Sequence, residues 1–417
     1  MKNILFLAII SLSACTYSVR ETIEYQVNEP VFMSESVFRN SVKVSKQPKQ
    51  INSHGKICFY QGFLFISEPE AGIHIIDNNN PASPVSVGFI ELIGNADIAV
   101  QDDRLYADAL IDLVWFDISN PTDPKLEGRL ENVFPEALPP VNNNMGCETI
   151  YNADGSRKPG IVVRWKLKTK EITAETYVSQ EYEVTNTTGY SRGINGSMSK
   201  FALYADHLYA ASGSNMEIFD LKSGKPEKAF SGTLPYLYQV ETMFSYKDNL
   251  FLGMPSGMVI YSLKNPVKPK YCSIVLHIDG CDPVVVDNDL AYITVRSGNL
   301  CGQDINELFI VDVTDVNKPS QPLVHYAMNN PKGLGIDSDR QILFLCDDGL
   351  KAFRITDDPQ TLIANKLTHL KGMDGYDLIP YNDILMMIAD DGLYQYDYSD
   401  PENIRQISVI PVYQNNN

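Results

Sequence analysis

Chemistry in this chain has few places to reside. Cys15 directly follows Leu12-Ser13-Ala14, the arrangement in which a signal peptidase cuts before a cysteine whose thiol carries a diacylglycerol. Asp97, Asp282 and Asp377 each stand eight positions ahead of the leading apolar residue of a recurring strand, and so do Lys56 and Lys200. Thr242 and Gly335 fill the same position in the two remaining copies. If the copies surround an axis, three carboxylates and two ammonium groups converge on it, a set that could hold Ca²⁺ or a polar ligand. The same groups would serve equally to hydrogen-bond strand ends and channel water. Cys281 and Cys301 form a third candidate set. A disulfide between them would close a loop of about 20 residues and stabilise by roughly 3 kcal/mol in the chain-entropy account. Two buried thiols are the alternative.

Other familiar chemistry is missing. The six histidines show no H-E-x-x-H or similar metal spacing, which argues against zinc. No G-x-S-x-G elbow, P-loop or dinucleotide fingerprint occurs in a strand-to-helix context. Asp347-Asp348 and Asp390-Asp391 both precede Gly-Leu and read as equivalent turns, not as an acid/base pair. A formal net charge of -18, with no offsetting basic run, argues against nucleic acid as a partner.

The elements that must position these groups begin with the N-terminus. Lys2 and the apolar run Ile4 to Ser11 make residues 1–14 a lipoprotein signal peptide, too short to span a bilayer as a helix. An ordinary secretory signal with an incidental cysteine is the competing reading. Residues 15–50 read as a lipidated tether with a strand that could complete a ring, and 413–417 as a C-terminal tail.

From 51 to 412 one phrase recurs: an alternating apolar strand, an Asp, then a polar turn with Pro. Examples are Gly72-Ile73-His74-Ile75-Ile76-Asp77, Leu113-Val114-Trp115-Phe116-Asp117 and Leu308-Phe309-Ile310-Val311-Asp312. Ser262 and Arg354 replace the Asp in two copies. A polar turn and a further strand precede each phrase, as in Asp102-Asp103-Arg104-Leu105-Tyr106. Asn, Asp and Gly tolerate the positive φ of tight hairpins, so each unit is a small antiparallel sheet. Seven such units predict an all-β, seven-bladed β-propeller of four-stranded blades. The recurring Asp is expected to accept a backbone N–H two residues on and so fix the turn. An insertion at 135–199 interrupts the series and holds Cys147, Trp165 and an expected hairpin of Gly160 to Lys168 with Ile172 to Val184.

These phrases resemble the LVIVD-repeat β-propellers of bacterial envelope lipoproteins, over nearly the whole mature chain. The resemblance implies a fold and a place in the cell envelope, and supplies no catalytic residues. Loops carried on a rigid scaffold concentrate binding groups, so the face with the insertion and the mouth of the channel is the expected working face. The expectation is a monomeric, non-catalytic lipoprotein, anchored to the outer membrane through Cys15, that binds or scaffolds a protein or glycan partner. The rival expectation is a propeller hydrolase or lactonase with a cation held by Asp97, Asp282 and Asp377.

Overall fold

The computed structural model describes residues 22–53, 55–141, 143, 145–173, 200–276, 283–296 and 305–413. Seven antiparallel sheets of four consecutive strands follow one another along the chain. Their first strands, Ile57–Tyr60, Ile98–Gln101, Phe201–Tyr204, Thr242–Tyr246, Val284–Asp287, Leu334–Asp337 and Gly375–Tyr381, define blades 1 to 7. Each first strand touches those of its two neighbours, and that of blade 7 touches that of blade 1. The sheets therefore surround an axis as a seven-bladed β-propeller.

Side-chain alternation explains the arrangement. Leu64 and Ile66 of blade 1 share a core with Met386 and Ile388 of blade 7, whereas Phe65 between them packs with Ile98 and Leu105 of blade 2. In blade 2, Leu105 faces back to blade 1 and Tyr106 faces forward to Leu208 of blade 3. Second and third strands thus bury both faces, which is why they read as nearly continuous apolar runs. One apolar core fills each of the seven junctions.

The recurring aspartate works as the sequence predicts. Asp77, Asp117, Asp220, Asp312 and Asp397 accept the N–H of the residue two ahead at 2.8 to 3.0 Å. Those bonds hold Asp117 and Asp312 below the usual carboxylate range. Ser399, joined by the guanidinium of Arg405, holds Asp397 at about 2.

The insertion departs from its expected hairpin. Ile161–Thr173 is one continuous strand, and Ile172 lies within it opposite Ile23. Its antiparallel partner is Thr22–Met33, so the two make a ribbon from segments far apart in sequence. Short-range turn signals could not reveal a pairing across that distance. Ile161 and Val163 pack at the ribbon's base with Phe38 and the core between blades 1 and 2. Asn28 fixes a third segment: its side chain donates to Asn143 and to the carbonyl of Met145, both at 2.9 Å. The chain then adds Lys43–Ser45 to the outer strand of blade 1, Val85–Glu91, as a fifth strand.

Ring closure is made elsewhere. Ile51 bridges Val412, and the N–H of Tyr413 donates to the carbonyl of Ile51. The hydroxyl of Ser408 donates to the carbonyl of Pro81, as Thr368 of blade 6 does to Pro401 of blade 7. Between these contacts, Asn78 and Gln395 exchange two amide hydrogen bonds at 2.9 and 2.6 Å, with residue exposures of 3% and 0%. An orphaned buried amide costs about 1–3 kcal/mol. Asn78→Leu and Gln395→Leu are each expected to destabilise by about that much, and the double variant by less than the sum, in a urea-denaturation cycle.

Candidate functional site

The first strands of the blades lie innermost, and a common hydrogen bond marks the equivalent residues at their starts. The N–H of Ser67 donates to the carbonyl of Lys56, that of Asp108 to Asp97, that of Ala211 to Lys200, and that of Thr294 to Pro283. In blade 6 the donor is Cys346 and the acceptor Gly333. Lys56, Asp97 and Lys200 are therefore equivalent residues, each one position ahead of its blade's first strand. Thr242, opposite Gly253, and Asp377, opposite Ile388, begin their blades in the same region.

Two assignments shift. Blade 6 has a four-residue turn, Ser338 to Gln341, where its neighbours have two, so Gly333 and not Gly335 holds the position. A Cβ on Gly335 would strike Leu378 and Pro380, which places that residue in the junction with blade 7. In blade 5 the register puts Pro283 at the mouth. Asp282, Cys281 and Cys301 lie outside the described residues, as does Cys15.

Asp97 is buried and richly partnered. Its Oδ1 lies 3.2 Å from Nζ of Lys56 in blade 1 and accepts the N–H of Ile98 at 2.8 Å. Its Oδ2 accepts the N–H groups of Lys200 and of Phe201, the latter at 3.1 Å, at the start of blade 3. One carboxylate thus ties three blades together. Burial pushes its pKa up, against the pull of Lys56 and the Lys200 N–H. Burial pushes Lys200 down, opposed by Asp108, Asp97 and Glu241. In ring order, Asp377, Lys56, Asp97 and Lys200 alternate in sign over four adjacent blades.

Sequence reasoning missed the layer behind these groups. Asp108 accepts the N–H of Ala96 at 2.8 Å, of Asp97 at 2.9 Å and the side-chain amide of Asn95 at 3.0 Å through one oxygen. Asn95 in turn accepts from Ser67 of blade 1 at 2.8 Å. The available signal was an Asp closing the buried run Leu105-Tyr106-Ala107. Across the ring, buried Lys332 lies 2.6 Å from Asp374 and 3.9 Å above the Tyr376 ring, while the Tyr376 hydroxyl donates to Asp390. Gly333 permits that junction, since a Cβ there would fall 2.3 Å from the Tyr376 carbonyl oxygen. Among the described residues, no three His, Cys, Asp or Glu side chains gather as metal ligands, and Cys58, Cys147, Cys272 and Cys346 are free thiols.

A family model described as the LVIVD repeat matches residues 94–131, which include Asp97 and Asp108. No curated protein matches the chain in sequence. Among solved structures, a "putative 6-phosphogluconolactonase" from Bacteroides uniformis is similar at 12% identity and TM-score 0.53, over 82% of this chain and 93% of that one. Its counterpart from Bacteroides fragilis is 8% identical, with TM-score 0.52 over 90% and 97%. A functionally unknown protein from Desulfotomaculum acetoxidans is 10% identical, with TM-score 0.51 over 85% and 100%. At these identities the likeness is one of fold.

Burial raises the Asp108 carboxyl to about 7, against the pull of the Ala96 and Asp97 N–H groups and with a further upward push from Asp97. Between its ordinary 3.8 and about 7, the folded state holds a proton that the unfolded chain has lost, so this group makes stability fall as pH rises through that window. Asp108→Asn keeps the accepting oxygen and cannot ionise. Urea midpoints measured at about pH 5 and about pH 8 are expected to differ less in the variant than in the wild type, with the variant gaining relative stability at the higher pH.

Proposed function

We propose that this LVIVD-repeat propeller is a non-catalytic binding protein of the bacterial envelope, held at the outer membrane by an acylated Cys15, where it engages a protein partner. The observation that carries the non-catalytic reading is the engagement of Asp97. Both of its oxygens bond to neighbouring blades, so its charge is used in joining strands. A catalytic or cation-holding carboxylate needs an oxygen directed at substrate or metal.

The ribbon supports the anchored reading. It begins at Thr22, seven residues after Cys15, and its base is fixed in the core between blades 1 and 2. Twelve residues of strand extend about 40 Å at roughly 3.3 Å each, enough to act as a spacer between lipid and ring. Acyl chains contribute about 0.8 kcal/mol per buried methylene, so a diacylated cysteine would hold the ring at a membrane without any spanning helix.

The rival reading, a lactonase, draws on the names of two structural neighbours. It requires Asp97 and Asp377 to act with Asp282 on a cation or substrate. Incubating purified protein with 6-phosphogluconolactone separates the readings: binding function predicts hydrolysis at the uncatalysed rate, and turnover lost in Asp377→Asn would establish the enzyme. For the anchor, Cys15→Ser is expected to move the protein from the membrane pellet to the soluble fraction and to abolish labelling by radioactive palmitate. Retention of both in the variant would refute lipidation.

A further inference from the structure

We propose that a lysine-lined groove at the foot of blade 4 docks an extended acidic segment of a protein partner. The groove encloses about 910 Å³ between blades 4 and 5, on the side bearing the first hairpin turns, away from the channel mouth. Lys247, Lys264, Lys268 and Lys270 line it, with Tyr271 and Val316 supplying apolar wall. Two carboxylates also line it and both are engaged: Asp289 pairs with Lys247 at 2.6 Å, and Asp248 accepts the Tyr204 hydroxyl at 2.6 Å. Lys264, Lys268 and Lys270 are exposed and form no ion pair among the described residues. Four lysines against two carboxylates give the groove an excess of positive charge in a chain of net charge -18.

For Lys264 and Lys270 the cause is a departure from the repeat at the end of the third strand of blade 4. Blades 1, 2, 3, 5 and 7 place an Asp at the end of the third strand, and in blades 3 and 7 it pairs with a cation that follows. Asp220 of blade 3 lies 3.8 Å from Lys222, two residues on, and Asp397 of blade 7 lies 2.8 Å from Arg405, eight residues on. Blade 4 carries cations at both of those offsets, Lys264 and Lys270, but Ser262 stands where the Asp would be. Its hydroxyl only accepts the N–H of Lys264, at 3.4 Å. The turn is kept and the charge is not.

The backbone indicates what kind of anionic partner fits. Lys270–Leu276 is the edge strand of blade 4, hydrogen-bonded on one side to Gly257–Ser262. The molecule already adds a strand to such an edge, because Lys43–Ser45 pairs with the outer strand of blade 1. An extended peptide can likewise use main-chain hydrogen bonds for affinity and place alternate acidic side chains toward the lysines. This deepens the reading that the partner is a protein, and it names the surface.

The test is fluorescence anisotropy with the purified full chain and a labelled peptide of alternating Glu and Val. Wild type is expected to bind saturably and more weakly as salt rises. Ser262→Asp supplies the residue found in five of the other six blades without touching a lysine, and it is expected to weaken binding about tenfold, as is Lys264→Glu with Lys268→Glu. Thermal melting of both variants is expected to stay near wild type, because Lys264 and Lys268 are exposed and Ser262 is only half-buried at the end of its strand. Equal binding by Ser262→Asp and wild type, tighter binding of polygalacturonate than of the peptide, or capture of a second copy in light scattering would each overturn the proposal. Failure here leaves membrane anchoring to its own test, since the peptide assay contains no lipid.

Discussion

No blade of this protein can bury its apolar surface alone. The second and third strands present side chains to both neighbours, so each sheet is stable only when flanked on each side, and a row of such sheets must close on itself. Burial in the seven junctions supplies most of the favourable free energy, at roughly 25 cal/mol per Å² of apolar surface. The same demand dictates the seam, where a buried amide pair, a hydroxyl-to-carbonyl bond and the Ile51–Val412 bridge do for blades 7 and 1 what chain continuity does elsewhere. Ends of a series left open would expose strand edges and invite association.

Closure also sets the chemistry of the axis. Seven strand starts brought together expose backbone N–H groups in a confined space, and these need acceptors. Asp97 and Asp108 serve as such acceptors between blades 1, 2 and 3, with Lys56 and Lys200 balancing the charge. The charges at the strand starts of blades 1 to 3 are therefore used in joining blades. On the opposite side a comparable network exists: Tyr60 donates to Asp103, Tyr204 to Asp248 and Arg340 pairs with Asp383, each reaching into the next blade. Blade 4 breaks the charge balance of its own turn, and that is where an interaction surface is proposed.

The repeat was legible because its signals are local. Alternation, the Asp-to-N–H turn and the Asn/Asp/Gly hairpins each lie within a few residues, and the blade count and the equivalence of Lys56, Asp97 and Lys200 follow from them. Pairings across the chain were not legible. The ribbon of Thr22–Met33 with Ile161–Thr173 has no turn to announce it, and the four-residue turn of blade 6 displaced the count from Gly333 to Gly335. Asp108 was hidden for a different reason: an acidic residue at the end of a buried strand gives no sign of which N–H groups it will meet. Ser262 was visible as an exception to the turn, but its consequence appeared only when Lys264 and Lys270 could be compared with their counterparts in blades 3 and 7.

The account holds that charges at the mouth are joints between blades. Differential scanning calorimetry of wild type and Asp97→Ala, each with and without Ca²⁺, tests that idea directly, since a ligand of the folded state raises its melting temperature. The account predicts a lower midpoint for the variant and no response to Ca²⁺ in either protein. A wild-type midpoint that rises with Ca²⁺, and a variant that melts like wild type but has lost that rise, would contradict it.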